Sequence, residues 1–425
     1  MTSYKIIEGT LVGKKYKPDL VFNFRVAVPE VDVESYAMIV DHDNLSEPII
    51  NSMIRLSDEG KAPYCAVIGV APGYLLFPNG AARDMRMNSY DLFDREYGDF
   101  LVYELIPYIT ETYGIKFSDN PDMHCVMGCS SGGMSAFVVA WFHPDYFHRV
   151  YMSTPSFLSM GRGFELPYLI RKYETKPFRV YSEVSEFEPN EYFGWSKAIV
   201  EETHEALRFA KYDFNCEYFP GEGHCSRYEN EETSYKRCEW IWHDWDTKPI
   251  TAPANSHRVD VVVPFGTDWE KCDQFPETEA SDAPKALTDE FRTVVSSNDG
   301  LAWYAANLND DVVYLYIKLD DITLERRLLH ATLHTIPRHK NGAIDMAVAK
   351  TDRLFVLTEI GIQCVRSYGL IDVILNLPDD SKPEKIAITD ALYVKTEKGI
   401  YKRPLQPDCV TDSDIKRKQV HYYDI

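Results

Sequence analysis

The chain of 425 residues is short of positive charge: 45 Lys and Arg stand against 66 Asp and Glu, a formal net charge of -21. That balance argues against nucleic acid and anionic membrane as partners, since both would repel it. Long apolar runs are missing too. No stretch approaches the length of a membrane span, and Met1 to Lys15 carries no signal-peptide core. The nine cysteines include no Cys-x-x-Cys pair, and their number is odd. This predicts free thiols in a reducing compartment, hence a cytoplasmic protein, and not a disulfide scaffold. Cys129 and Cys225, each beside a residue singled out below, read as small packing residues. Length alone predicts two domains.

What is present is concentrated in Gly128-Cys129-Ser130-Ser131-Gly132, followed by Gly133. This is the G-x-S-x-G pattern, with a strand-like run, Met123 to Met127, before it and a helical stretch, Met134 to Phe142, after it. Such a turn must be tight for the Ser130 hydroxyl to stand clear, and Gly128 and Gly132 remove obstructing side chains. Ser130 then sits at a helix amino end, where free N–H groups favour developing negative charge.

A nucleophilic serine needs a base and an orienting acid, in the chain order Ser, acid, His for this elbow. Gly221-Glu222-Gly223-His224 follows a strand-like run, Asn215 to Phe219, and offers His224 on a glycine-flanked loop. His143 and His148 lie around a helix end and His204 inside a predicted helix, so they compare poorly. The acid belongs after the strand near Phe178 to Glu183, where Glu183, Glu186, Glu188 and Glu191 compete and no aspartate occurs.

Alternating strands and helices run from about Tyr4 to Trp245. Strands are predicted at Tyr64 to Val70, Met123 to Met127, Arg149 to Met152, Arg179 to Tyr181 and Asn215 to Phe219, with helices at Arg95 to Tyr113 and Ser196 to Lys211. The alternation predicts an α/β fold, a mostly parallel sheet with helices on both faces. Val21 to Val28 and Tyr36 to Val40 read as antiparallel strands entering that sheet. The domains expected are 1–246, a linker and irregular segment at 247–284, and a β-rich region at 285–425. In the last region short strands recur at roughly the 40-residue spacing of propeller blades, about four of them, few for a closed propeller.

With these residues in view, the amino-terminal half resembles the esterase D group of α/β-hydrolases, which includes enterochelin and feruloyl esterases. The matching residues are Gly128 to Gly133, His143-Pro144-Asp145-Tyr146-Phe147, Gly221 to His224 and Arg86-Met87-Asn88-Ser89-Tyr90-Asp91. The carboxy-terminal half is similar, more weakly, to gluconolactonase-type propellers. The resemblance implies carboxylic-ester hydrolysis with Ser130 as nucleophile and His224 as base. Laid against the group's pattern, Tyr192-Phe193-Gly194-Trp195 puts the acid on or near Glu188, with Glu186 and Glu183 as fallbacks.

The expected oxyanion donors are the N–H of Ser131 and, from the loop Ala71-Pro72-Gly73-Tyr74, that of Tyr74, because Pro72 has none. Asn88, Tyr90, Tyr192, Phe193 and Trp195 are candidate pocket residues. The substrate expected is a small ester of siderophore, feruloyl or acyl-sugar type, with no cofactor and no metal. A further copy of the chain is a possible partner. The competing reading is a catalytically degenerate hydrolase scaffold that serves, with its propeller-like region, as a binding module.

Overall fold

The structure, a computed structural model, describes residues 2–159, 163–192, 194–252, 259–277, 283–318, 324–335 and 342–411. Phe193 and, in the expected linker, residues 253–258 and 278–282 lie outside them. The chain divides into two compact units, Met1–Arg171 with Thr175–Pro253, and Lys172–Glu174 with Ala254–Ile425.

The first unit is built on one sheet. Its strands are β1 (Tyr4–Val12), β2 (Val21–Pro29), β3 (Ala37–His42), β4 (Cys65–Val70), β5 (Tyr74–Leu76), β6 (Ala82–Asp84), β7 (His124–Cys129), β8 (Arg149–Ser153) and β9 (Arg179–Phe187). A short hairpin, β10 (Asn190–Glu191) with β11 (Gly194–Trp195), precedes the last strand, β12 (Asp213–Gly223). Their order is β12-β9-β8-β7-β3-β4-β2-β5-β6, with β1 paired to β2. From β12 to β4 every pairing is parallel. The pairings of β2 with β1, β4 and β5 are antiparallel.

This corrects one expectation. The strand at Tyr36 to Val40 is not an antiparallel entry strand. As β3 it lies at the centre, parallel to β4 on one side and β7 on the other. Its sequence, Ala-Met-Ile-Val-Asp-His, is buried at every position, as parallel strands covered on both faces require. β12 is the edge, and none of its eleven residues is fully buried.

Helices cover both faces. The helix Ser131–Phe142 buries all but its last residue, so it has no polar side. The helix Glu231–Trp242 starts at Asn230, whose side chain accepts the Thr233 N–H at 3.0 Å. It brings Cys238, Ile241 and Trp242 into a core with Ile49, Met53 and Tyr151. Each such large apolar side chain contributes about 1.5–3 kcal/mol on burial. The expected helix at Arg95 to Tyr113 runs from Glu96 to Tyr113 through a π turn at Leu101–Leu105.

The second unit holds three four-stranded antiparallel sheets among the described residues. One contains β13 (Glu270–Cys272), which falls in the segment expected to be irregular. The next two are β14 (Thr293–Ser296), β15 (Ala302–Ala306), β16 (Val312–Lys318) and β17 (Leu324–Thr332), then β18 (Asp345–Val348), β19 (Leu354–Thr358), β20 (Gly361–Val365) and β21 (Ile371–Leu375). β22 (Pro383–Ile388), β23 (Leu392–Thr396) and β24 (Gly399–Arg403) follow, and β13 completes their sheet by pairing with β24. Three sheets stand where the sequence spacing suggests about four.

Candidate active site

The site forms where strands of the first unit end. β7 stops at Cys129, and Ser130 follows with φ 58° and ψ −127°, before the helix Ser131–Phe142 begins. An L-residue held there is strained and persists only where its surroundings impose it. The glycines permit the turn, though not by clearing the hydroxyl. A Cβ on Gly128 would lie 2.6 Å from the carbonyl carbon of Gly132, and one on Gly133 would lie 2.9 Å from the Gly128 oxygen. They let strand and helix backbones touch.

Three distant segments meet at Ser130. The hydroxyl donates to Nε2 of His224 at 2.9 Å. The other ring nitrogen, Nδ1, donates to Oε2 of Glu188 at 2.5 Å. That bond selects the tautomer that leaves Nε2 free to accept. The Glu188 side chain is fully buried, while that of His224 keeps a quarter of its surface exposed. The Ser185 N–H fixes the second carboxylate oxygen, Oε1, at 3.0 Å. Glu188 directly follows β9, His224 directly follows β12, and Ser130 directly follows β7. All three groups therefore stand at carboxyl ends of parallel strands, where ligands of open α/β sheets bind.

The two fallback acids are engaged elsewhere. Glu183 Oε2 accepts from Tyr151 Oη at 2.6 Å and from Ser153 Oγ at 2.8 Å, with Arg237 Nε 3.8 Å from its other oxygen. Burial pushes its pKa up, and the Arg237 charge opposes that rise. Glu186 accepts the Gly221 N–H at 2.6 Å and so braces the loop that presents His224. Among the other histidines, His143 faces Asp99, His148 bonds to Asp122, and His204 bonds to Ser182.

The oxyanion expectation changes. Ser131 stands beside the nucleophile at the helix start, but Tyr74 is not brought there. Tyr74 lies in β5, paired with Val21 and Asp84. Three strands separate β5 from β7, a lateral distance of about 19 Å at about 4.8 Å per strand. The loop next to the elbow follows β3 and begins at Asp43, whose Oδ2 lies 2.9 Å from where a Gly132 Cβ would be. The Asp43 N–H is committed to the Val70 carbonyl at 2.9 Å.

Through Asp43 that loop joins a charged cluster unseen in the sequence. Arg86 binds both Asp43 oxygens, the Nη2–Oδ2 bond being 3.1 Å, and its Nε donates to the Ser131 hydroxyl at 2.8 Å. Asp91 stands 3.3 Å from the same Nε, its pKa pushed up to about 6 chiefly by burial. Tyr90 donates to Asp43 at 2.5 Å and is only 1% exposed, so it supports this cluster and does not line an open pocket. Beneath it His42 donates from Nδ1 to the Gly132 carbonyl at 2.9 Å, and burial lowers its pKa to about 4. Asn88 is half-buried on the short helix Arg86–Ser89. Tyr192 and Trp195 are exposed on the β10–β11 hairpin just past Glu188.

One further residue and one crosslink escaped the sequence reading. Ser156 donates its hydroxyl to Ser130 Oγ at 2.9 Å, and nothing in its local sequence marks it. Cys129 and Cys225 are joined as a disulfide, which overturns the expectation of free thiols for this pair. The other seven cysteines are free. Their adjacency to Ser130 and His224 was the available signal, but pairing across 96 residues has no local signature. Among the described residues no helix is long and apolar enough to cross a membrane.

Residues 46–283 match the family described as "Putative esterase". A solved ferulic acid esterase is similar at 16% identity with a TM-score of 0.44, over 56% of this chain and 98% of that one. The siderophore hydrolase EstB from Aspergillus nidulans is similar at 16% identity with a TM-score of 0.42, over 57% of this chain and 96% of its own. The enterobactin esterase FES from Shigella flexneri is similar at 16% identity with a TM-score of 0.40, over 56% and 59%. No curated protein matches. The gluconolactonase-like resemblance concerns residues outside the family match.

Proposed function

The chain belongs to the esterase family that its residues 46–283 match, and on that premise we propose that it hydrolyses small carboxylic esters through a Ser130–His224–Glu188 triad. The observation that carries the proposal is the unbroken chain of contacts from Glu188 Oε2 to His224 Nδ1 and from His224 Nε2 to Ser130 Oγ.

The reaction is acyl transfer in two steps. His224 takes the Ser130 proton as Oγ attacks the ester carbonyl, and Glu188 stabilises the imidazolium. The developing oxyanion lies at the amino end of the helix Ser131–Phe142, with the Ser131 N–H as one donor. We assign the second donor to the loop after β3, at Asn44, because the Asp43 N–H is already taken. His224 returns its proton to the leaving alcohol, and water then repeats the cycle on the acyl-enzyme. Arg86 matches the Asp43 charge beside the elbow, which would otherwise oppose an oxyanion there. The exposed Tyr192 and Trp195 offer flat apolar surface to an aryl group, which favours feruloyl or siderophore-type esters within the small-ester class. The second unit's three sheets are proposed as blades of an incomplete propeller.

Hydrolysis of p-nitrophenyl acetate and of an aryl ester such as methyl ferulate tests this. Wild-type protein turns over at least one of them, and Ser130→Ala, still folded by circular dichroism, turns over neither. A folded wild type inert to both, or an active Ser130→Ala, overturns the proposal. In that event the degenerate-scaffold reading takes its place.

A further inference from the structure

The residue before the nucleophile and the residue after the base are covalently joined: Cys129 precedes Ser130, Cys225 follows His224, and a disulfide links them with Cα atoms 6.3 Å apart. We propose that this disulfide is a positioning device that holds the His224 imidazole against the Ser130 hydroxyl, so that its reduction slows the chemical step while leaving the fold intact. The inference rests on the ester-hydrolase reading above and adds to it a requirement that the triad itself does not impose.

The need for such a tie follows from where the two loops originate. Ser130 is anchored in the interior: β7 is flanked by β3 and β8, and the helix that follows is buried nearly throughout. His224 comes from the edge strand β12, separated from β7 by β9 and β8. The pairing of β12 with β9 is interrupted between Phe219 and Gly223, and resumes only at the single pair Gly223–Phe187. Beyond Gly223 the loop makes local turns, Ser226 N–H to Gly223 O and Tyr228 N–H to Cys225 O, and it is anchored at its two ends, by Glu186 on the Gly221 N–H and by Arg237 on the Arg227 and Tyr228 carbonyls. Between those anchors His224 and Cys225 have room to shift, and a triad does not tolerate drift, because misplacement by about 1 Å can cost about 10²-fold in rate.

The backbone around the disulfide bears the marks of imposed geometry. Ser130 has φ 58°, Cys225 φ 60° and Thr154 φ 41°, all in the left-handed region without being glycine. Thr154 packs against both sulfurs of the disulfide, its Oγ1 3.7 Å from Cys129 Sγ and 3.4 Å from Cys225 Sγ. Strained residues persist where neighbours over-determine them. Here the crosslink joins the strained residue after the base directly to the strand end that launches the nucleophile.

Reduction by a dithiol has a defined course. One reagent thiolate attacks a sulfur of the disulfide and the other cysteine leaves as thiolate. The reagent's second thiol then displaces the mixed disulfide, giving the oxidised reagent and two cysteine thiols.

The test uses the full chain, oxidised and then treated with dithiothreitol, with titration of the two new thiols and circular dichroism to show a reduced but folded protein. Three readouts are followed: hydrolysis of p-nitrophenyl acetate, the rate of labelling by a fluorophosphonate, and amide exchange of residues 221–229. On reduction, kcat and the labelling rate are expected to fall about tenfold to a hundredfold with KM nearly constant, exchange in the loop rises, and reoxidation restores all three. The double variant Cys129→Ser with Cys225→Ser has the reduced protein's kcat and does not respond to dithiothreitol. A reduced, folded wild type that keeps its oxidised kcat and labelling rate overturns the inference, even if the loop exchanges faster. An oxidised wild type that neither hydrolyses esters nor takes the label fails the ester-hydrolase reading, and the positioning role falls with it.

Discussion

Glu188 Oε2 stands 2.5 Å from His224 Nδ1, whereas Glu183, in the same strand-and-loop segment, gives its Oε2 to Tyr151 and Ser153 and does not reach the imidazole. The two glutamates therefore separate by phenotype. Glu188→Gln keeps the shape but loses the charge and the tautomer control. The equivalent amide swap in a serine-protease triad costs about 10⁴-fold in kcat, and a loss of about 10²- to 10⁴-fold is expected here. Glu183→Gln leaves kcat per folded molecule nearly unchanged. It lowers stability instead, by up to about 3–5 kcal/mol, the range for removing one partner of a buried charge pair. Steady-state kinetics and urea melts of both variants check this.

Arg86 ties Asp43 to the Ser131 hydroxyl. Arg86→Ala leaves a carboxylate unmatched beside the elbow and is expected to lower kcat about 10- to 100-fold, mainly through a poorer oxyanion environment. Adding Asp43→Asn to that variant removes the offending charge and recovers part of the loss. A double-mutant cycle on kcat/KM reads the coupling. Equal, additive losses would mean that the pair acts only as scaffold.

His42 sets an acid limit on stability. Burial lowers its folded pKa to about 4, against about 6.5 for a free imidazole. Between those values the unfolded chain binds a proton at this position and the folded chain does not, so stability rises with pH there. The contribution is complete above pH 6.5 and is lost as pH falls toward 4, a loss of about 3 kcal/mol. His42→Asn can still donate to the Gly132 carbonyl but has no proton to gain. Its stability, followed by denaturant melts from pH 7 to pH 4, is expected to fall less steeply than that of the wild type.

Gly128 is required for backbone contact across the elbow, since a Cβ there would lie 2.6 Å from the Gly132 carbonyl carbon. Gly128→Ala is expected to destabilise by about 1–3 kcal/mol, the usual cost of overpacking, and to depress esterase activity by displacing Ser130. Thermal melting and the p-nitrophenyl acetate assay measure the two effects separately.

What the sequence made legible was local. Gly128 to Gly132 encodes strand, turn and helix within a few residues, and Gly221 to His224 announces a loop after a strand, so nucleophile and base stand out. Lateral order was not legible. A strand's place in a parallel sheet depends on distant partners, and Tyr36 to Val40 was misread as an entry strand when it sits between β4 and β7. From that followed the error at Tyr74, because the loop beside the elbow belongs to the strand beside β7. Glu188 was reached through the family pattern at Tyr192 to Trp195, not through any property that distinguishes one glutamate from four. The Cys129–Cys225 pair was hidden by an odd cysteine count and a separation of 96 residues.

The most direct measurement is peptide-mapped mass spectrometry after treatment of oxidised protein with a fluorophosphonate. The account predicts one phosphonyl adduct per chain, on Ser130, formed slowly in His224→Ala and absent in Ser130→Ala. An adduct on another residue, or none on a folded protein that an active serine hydrolase control labels under the same conditions, would contradict it.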